Sequence, residues 1–153
     1  PTDSSSVSTT AMTDTTQSGR PLPALTDLNR TYWTSGAAGV WRLQRCPDCE
    51  RLIHPPALRC QYDHSVPEWV DMSGRGTVES WTVNHHPFYP GIPTPYVIAF
   101  VNPVEDPRAR VLTNLVDVDP SRIFRGMPVR VTFVVGSDES DDDVHLPMFS
   151  PES

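Results

Sequence analysis

Hydrophobic positions change their spacing along this chain, and the changes mark its parts. Residues 1–20 are rich in Ser and Thr and nearly free of large apolar side chains. Such a stretch buries too little surface to offset the entropy of ordering, so 1–23 reads as a flexible tail or linker. Leu25, Leu28, Tyr32 and Trp33 then recur at helical spacing, with Thr26 or Asp27 placed to cap and Gly39 placed to stop. That pattern predicts one amphipathic helix over 24–38, inside a segment 24–39, with an apolar face in need of a cover. Further on the period becomes that of strands. Residues 77–83 are β-rich, 96–101 are continuously apolar, 111–116 alternate in part, 129–135 are Val-rich, and 144–149 can close the sheet. Residues 103–107 form a polar connector, and Asp119-Pro120-Ser121 opens a short helical turn that Gly126 ends. A mainly β protein follows, its 71–153 segment a small, partly closed five-stranded barrel rather than a parallel α/β sheet.

The stretch 40–70 carries the chemistry. Cys46-Pro47-Asp48-Cys49 is followed by Cys60, Asp63 and His64. Two knuckles separated by ten residues bring four side chains onto one ion, which then fixes a loop too short to bury its own core. The reading is a zinc ribbon with one thiolate replaced: Cys46, Cys49, Cys60 and Asp63, with His64 the alternative fourth ligand. Asp63 keeps the register of a paired knuckle, whereas His64 is the commoner ligand type but needs a looser turn. Four protein ligands close the coordination sphere, so the zinc is structural. His54 reads as a loop residue. A thioredoxin-type redox pair needs a helix directly after the motif, and Pro55 and Pro56 stop one. The odd cysteine count and the missing secretory leader predict a reducing cytoplasm.

Composition narrows the function. The chain has 153 residues, 37% of them hydrophobic, and no apolar run of membrane-spanning length, which predicts a soluble protein without membrane contact. Formal net charge is −7, but five of the nineteen acidic residues lie in 138–143, leaving the body near neutral. A nucleic-acid partner is disfavoured, since phosphate binding calls for a basic face. All twelve basic residues are arginine, so neither a Schiff-base lysine nor a phosphate-loop lysine is present in this sequence. His85-His86 followed by Pro87-Phe88-Tyr89 is the one polar and aromatic cluster at hand. Read as strand residues, the two imidazoles point to opposite faces, and no carboxylate or nucleophile accompanies them. No catalytic residue is assigned. His85, His86, Phe88 and Tyr89, together with Tyr32 and Trp33 of the helix, are candidates for contact with a partner or a substrate channel. Arg42, Arg45, Arg51 and Arg59 surround the ribbon; they either balance its thiolate charge, the favoured reading, or meet the phosphates of a ligand.

Taken together, several segments resemble one family. They are the Tyr32-Trp33 helix, Arg45-Cys46-Pro47-Asp48-Cys49, Pro55-Pro56, Cys60, Gly74-Arg75-Gly76-Thr77-Val78 with Ser80-Trp81-Thr82, Pro95-Tyr96, and Gly126-Met127-Pro128-Val129. Over 24–149 the chain is similar to the zinc-ribbon and OB-fold family known as domain of unknown function thirty-five, found beside acyl-CoA enzymes. It departs from the pattern at Asp63, where the family usually has a fourth cysteine. The resemblance implies a rubredoxin-like zinc ribbon, an OB-fold, and a non-catalytic accessory subunit of a carbon–carbon lyase. The implied partner is a thiolase-like aldolase that cleaves steroid side-chain CoA thioesters, in a heterotetramer of two aldolase and two accessory chains. Substrate and catalytic base then belong mainly to the partner. The resemblance also implies a fused or associated hot-dog-fold hydratase, which leaves an acyl-CoA delivery module as an alternative. A single-strand nucleic-acid binder on the OB face is the remaining one.

Overall fold

The computed structural model describes residues 21–89, 92–136 and 143–152. The described elements are a short helix α1 (Arg30–Thr34), two 3-10 turns (Ser35–Ala38 and Pro120–Arg122) and eight strands. The strands are β1 (Trp41–Arg45), β2 (Leu52–Ile53), β3 (Glu68–Met72), β4 (Arg75–Asn84), β5 (Tyr96–Pro103), β6 (Val111–Leu115), β7 (Pro128–Gly136) and β8 (Val144–Pro151). β2-β1-β3 form a small antiparallel sheet, and β4-β5-β6-β8-β7 close a barrel. Four of the barrel's five ladders are antiparallel; β6 and β8 close it in parallel at Leu115 and Phe149. All five strands read from the sequence are present, each extended by one to three residues or trimmed by one.

The helix is shorter than its apolar spacing predicts. Thr26 and Asn29 bond each other reciprocally, backbone N–H to side-chain oxygen, at 2.7 and 3.2 Å, and Asn29 Nδ2 also donates to Ala24 O. That local box holds the entry as a turn, so the helix begins a turn later than expected. It then tightens into the 3-10 turn and stops at Gly39, whose φ of 74° is left-handed, as a glycine C-cap allows. Gly36 marks a close approach to the barrel: a Cβ there would lie 2.5 Å from His145 Cβ and 2.6 Å from the Phe133 ring. The Asp119 carboxylate caps a 3-10 turn at Pro120–Arg122 as its Asp-Pro-Ser sequence predicts, but that turn ends at Arg122 and Gly126 lies in a separate turn just before β7.

One core joins helix, ribbon and barrel. Tyr32, Trp41 and Leu43 pack with Val78, Val101, Val111, Val129 and Phe149, all buried. Trp41 meets Phe149 edge to face with ring centroids 5.1 Å apart. Burying side chains of this size contributes about 1.5–3 kcal/mol each, so the ribbon strand is anchored by apolar packing as well as by metal. Leu22, Leu25 and Trp33 pack on Val144, Leu146 and Met148 of β8. The apolar face of the helix is therefore largely covered by this chain's own barrel.

Candidate functional site

The two knuckles are built alike. Cys46 N donates to Arg51 O and Glu50 N to Cys46 O; Cys60 N donates to Ser65 O and His64 N to Cys60 O, all four bonds 2.9 Å. Glu50 and His64, each four residues past the first cysteine of its knuckle, have φ of 64° and 65°. Asp63 therefore stands where Cys49 stands in the first knuckle, and His64 matches Glu50. Asp63 N-caps its own turn by accepting from Ser65 N at 3.0 Å, and the Ser65 hydroxyl donates across to Asp48 of the other knuckle.

This repeat brings four donors together. One ligand atom from each of Cys46, Cys49, Cys60 and Asp63 lies within 4.8 Å of the others. Cys49 and Cys60 sulfurs are 3.7 Å apart, and Cys46 Sγ lies 3.2 and 3.3 Å from the Asp63 carboxylate oxygens. A tetrahedral zinc with Zn–S about 2.3 Å sets its donors about 3.8 Å apart, so the set fits. His64 is exposed and outside the group. Backbone N–H groups already address the sulfurs, Cys49 N to Cys46 Sγ at 3.4 Å and Tyr62 N to Cys60 Sγ at 3.5 Å.

The electrostatics suit anionic ligands held close. Ser65 N–H, then the Cys46 thiol, hold the Asp63 carboxyl down at about 2. The N–H groups of Asp63 and Tyr62 lower Cys60. For Cys49 an Arg51 N–H acts downward, but desolvation and the neighbouring Cys46 and Cys60 outweigh it and push the thiol up to about 11. Three crowded sulfurs share negative charge readily only with a cation among them. Zinc, when bound, supplies the cross-link between the knuckles and leaves no coordination position open.

The other candidates scatter. Tyr32 is 4% exposed, a core residue that meets Trp33 and His54 through its ring, and burial raises its hydroxyl well above the ordinary range. His54 is mostly buried, and desolvation lowers it to about 4. His85 and His86 lie past the end of β4, so the alternation of a strand does not orient them. Both are exposed; His86 stacks edge-on with Phe88 at 4.5 Å. Phe88 and Tyr89 are exposed too, and residues 90 and 91 of the same loop lie outside the described residues.

Two features escaped the sequence reading. Tyr96, Ile98 and Phe100 of β5 and Leu112 of β6 face outward, with Phe100 opposite Leu112 in the ladder. Leu112 is 60% exposed and joins Trp33, Tyr89, Ile98 and Met148 around an apolar cleft of about 360 Å³. The signal was present: an unbroken apolar strand implies that both of its faces are covered. Asp106 is the second. Its buried carboxylate accepts Leu52 N of the ribbon at 3.0 Å and grips Arg108 with two bonds of 2.7 and 3.1 Å, tying ribbon to barrel. A single Asp in a polar connector gives no such hint.

Ribbon sheet, four-donor centre and closed barrel define a zinc-ribbon and OB-fold protein. More particularly, the chain belongs to the ChsH2 (DUF35) family. The family model described as the ChsH2 rubredoxin-like zinc ribbon domain matches residues 33–65, and that described as the ChsH2 C-terminal OB-fold domain matches 69–134. A solved structure of the "Ltp2-ChsH2(DUF35) aldolase" superposes with a TM-score of 0.71 at 34% identity, over 85% of this chain and 98% of that one. A "probable enoyl-CoA hydratase alpha subunit" of Thermomonospora curvata is 37% identical over 134 residues, 86% of this chain. The "3-oxo-4,17-pregnadiene-20-carboxyl-CoA hydratase alpha subunit" of Mycobacterium tuberculosis is 43% identical over 104 residues, 67% of this chain. The chain spans 40% and 32% of the lengths of these two relatives. Among the described residues, no helix is long and apolar enough to cross a membrane.

Proposed function

We propose that this chain is a non-catalytic accessory subunit that binds and stabilises a thiolase-like aldolase, for retro-aldol cleavage of steroid side-chain acyl-CoA thioesters. The observation that carries the reading is the similarity, over nearly the whole of a comparably sized chain, to a subunit of the Ltp2-ChsH2(DUF35) aldolase. The closed metal centre supports it, since four protein donors leave zinc no place for substrate. Cys46, Cys49, Cys60 and Asp63 hold the structural zinc. Trp33 and Tyr89 line the apolar cleft on the outer face of β5 and β6, which the aldolase covers together with the exposed His85, His86 and Phe88 of the loop after β4, in an assembly of two aldolase and two accessory chains. The CoA thioester and the catalytic base sit on the aldolase.

Co-expression with a thiolase-like aldolase tests this. The aldolase should be recovered soluble and active only with this chain; an aldolase fully soluble and active alone would sink the proposal. The names of the two curated relatives favour a second reading, a module working beside a hot-dog-fold hydratase. It predicts acyl-CoA binding and co-purification of a hydratase without any aldolase.

A further inference from the structure

Away from the metal centre and the apolar face, one cleft gathers charge from both modules. It holds about 370 Å³ and lies where the ribbon meets the loop between β5 and β6. Arg51 and Arg59 reach it from the ribbon, Arg108 and Arg110 from the barrel, with Tyr62 and Asp106 in its wall. Four of a chain's twelve arginines around one cleft, in a protein of net charge −7, call for a reason.

All four guanidinium groups are held in place. Arg51 lies over the Tyr62 ring, 4.3 Å from its centroid. Arg59 gives one N–H to His64 O at 3.2 Å. Arg108 is paired with Asp106, and Arg110 with Glu79 at 2.8 Å. The Arg51 contact is to a ring and, among the described hydrogen bonds, takes up none of the guanidinium donors; Arg59 has spent one donor of five. A zinc centre with three thiolates and one carboxylate has a net charge of about −2, which offsets the ribbon pair, so the surroundings are close to neutral. Such a field draws a long polyanion only weakly, because that attraction grows with the number of phosphates neutralised. A small ligand gains otherwise, through short bidentate bonds from guanidinium forks already in position. The volume sits at the lower end of small-molecule pockets, about 300–1,000 Å³.

We propose that this cleft binds a phosphate-bearing ligand of nucleotide size, its phosphate oxygens taken by Arg51 and Arg59 and steadied from the barrel side by Arg110. The proposal does not rest on the aldolase reading. Calorimetric titration of the zinc-loaded chain with inorganic pyrophosphate, ADP and coenzyme A tests it, alongside Arg51→Gln, Arg59→Gln and Arg110→Gln. Pyrophosphate and ADP should bind, and each ribbon variant should weaken them about tenfold, the worth of one charge-assisted bond. Coenzyme A binding more tightly than ADP identifies the nucleotide end of a thioester as the source; equal affinities identify a free nucleotide, and either supports the site. Arg110→Gln, far from the knuckles, supplies the readout should a ribbon variant lose zinc. Absence of heat with all three probes, or affinities unmoved by all three substitutions, overturns the proposal. So does binding confined to a single-stranded oligonucleotide with steep salt dependence.

Discussion

Asp63 shows how a single residue can be read from register and then placed by backbone geometry. The Cys-x2-Asp spacing favours it because paired knuckles repeat, and the repeat is present down to the matching φ values of Glu50 and His64. Asp63→Ala should therefore weaken zinc by more than about a hundredfold in chelator competition, beyond the roughly 10–100-fold of a lost supporting contact, while His64→Ala leaves retention unchanged. Loss from His64→Ala with zinc retained by Asp63→Ala would move the fourth ligand to His64. His54, by contrast, read only as a loop residue, since its burial depends on Tyr32 arriving from the helix. Burial depresses its folded value to about 4 from an ordinary 6.5, so the folded state binds fewer protons between those limits. The contribution is fully present above pH 6.5 and is lost as pH falls to about 4, by at most about 3 kcal/mol. Urea midpoints across that window should fall less for His54→Gln than for the parent chain; parallel curves would show that His54 does not carry the effect.

At the scale of elements, the strands of the barrel were legible because period-2 and continuous apolar runs reflect one-sided and two-sided burial directly. The ribbon strands β1, β2 and β3 were not: two to five residues long, they are held by metal geometry and by Trp41 and Leu43 reaching another module's core. The helix start was misplaced for a similar reason, because the Thr26–Asn29 box competes locally with an apolar spacing that runs straight through it. Asp106 joins these elements. Asp106→Ala would strip Leu52 N of its acceptor and leave Arg108 unpaired, at a cost of about 1–3 kcal/mol. Hydrogen exchange should then quicken first in β2 and the β5–β6 loop, with β7 and β8 still protected. Uniform quickening over the barrel would mean that Asp106 supports the whole core rather than the junction.

For the whole molecule, the question is what surface remains once helix, ribbon and barrel have covered one another. The helix face predicted to seek a partner is largely spent internally on β8, so the proposed partner contact falls mainly elsewhere, with Trp33 at its edge. The outward side chains of β5 and β6 are the continuous apolar alternative, running from Phe100 and Leu112 to Tyr89 on the adjoining loop. Exposed patches of this kind mark interfaces, whose affinity concentrates in a few central aromatic and aliphatic residues. Leu112→Asp sets a charge at the centre of that patch without touching the core, since Leu112 is 60% exposed. It should cost about 2 kcal/mol or more of association with the proposed aldolase partner, roughly a thirtyfold loss in a pull-down titration. Zinc content and melting temperature should stay at the parent values. Tyr89→Ser, at the edge of the same cleft, should lose less. If Leu112→Asp bound as the parent does while Arg51→Gln lost the partner, the docking surface would be the arginine cleft, and the barrel face would need another occupant.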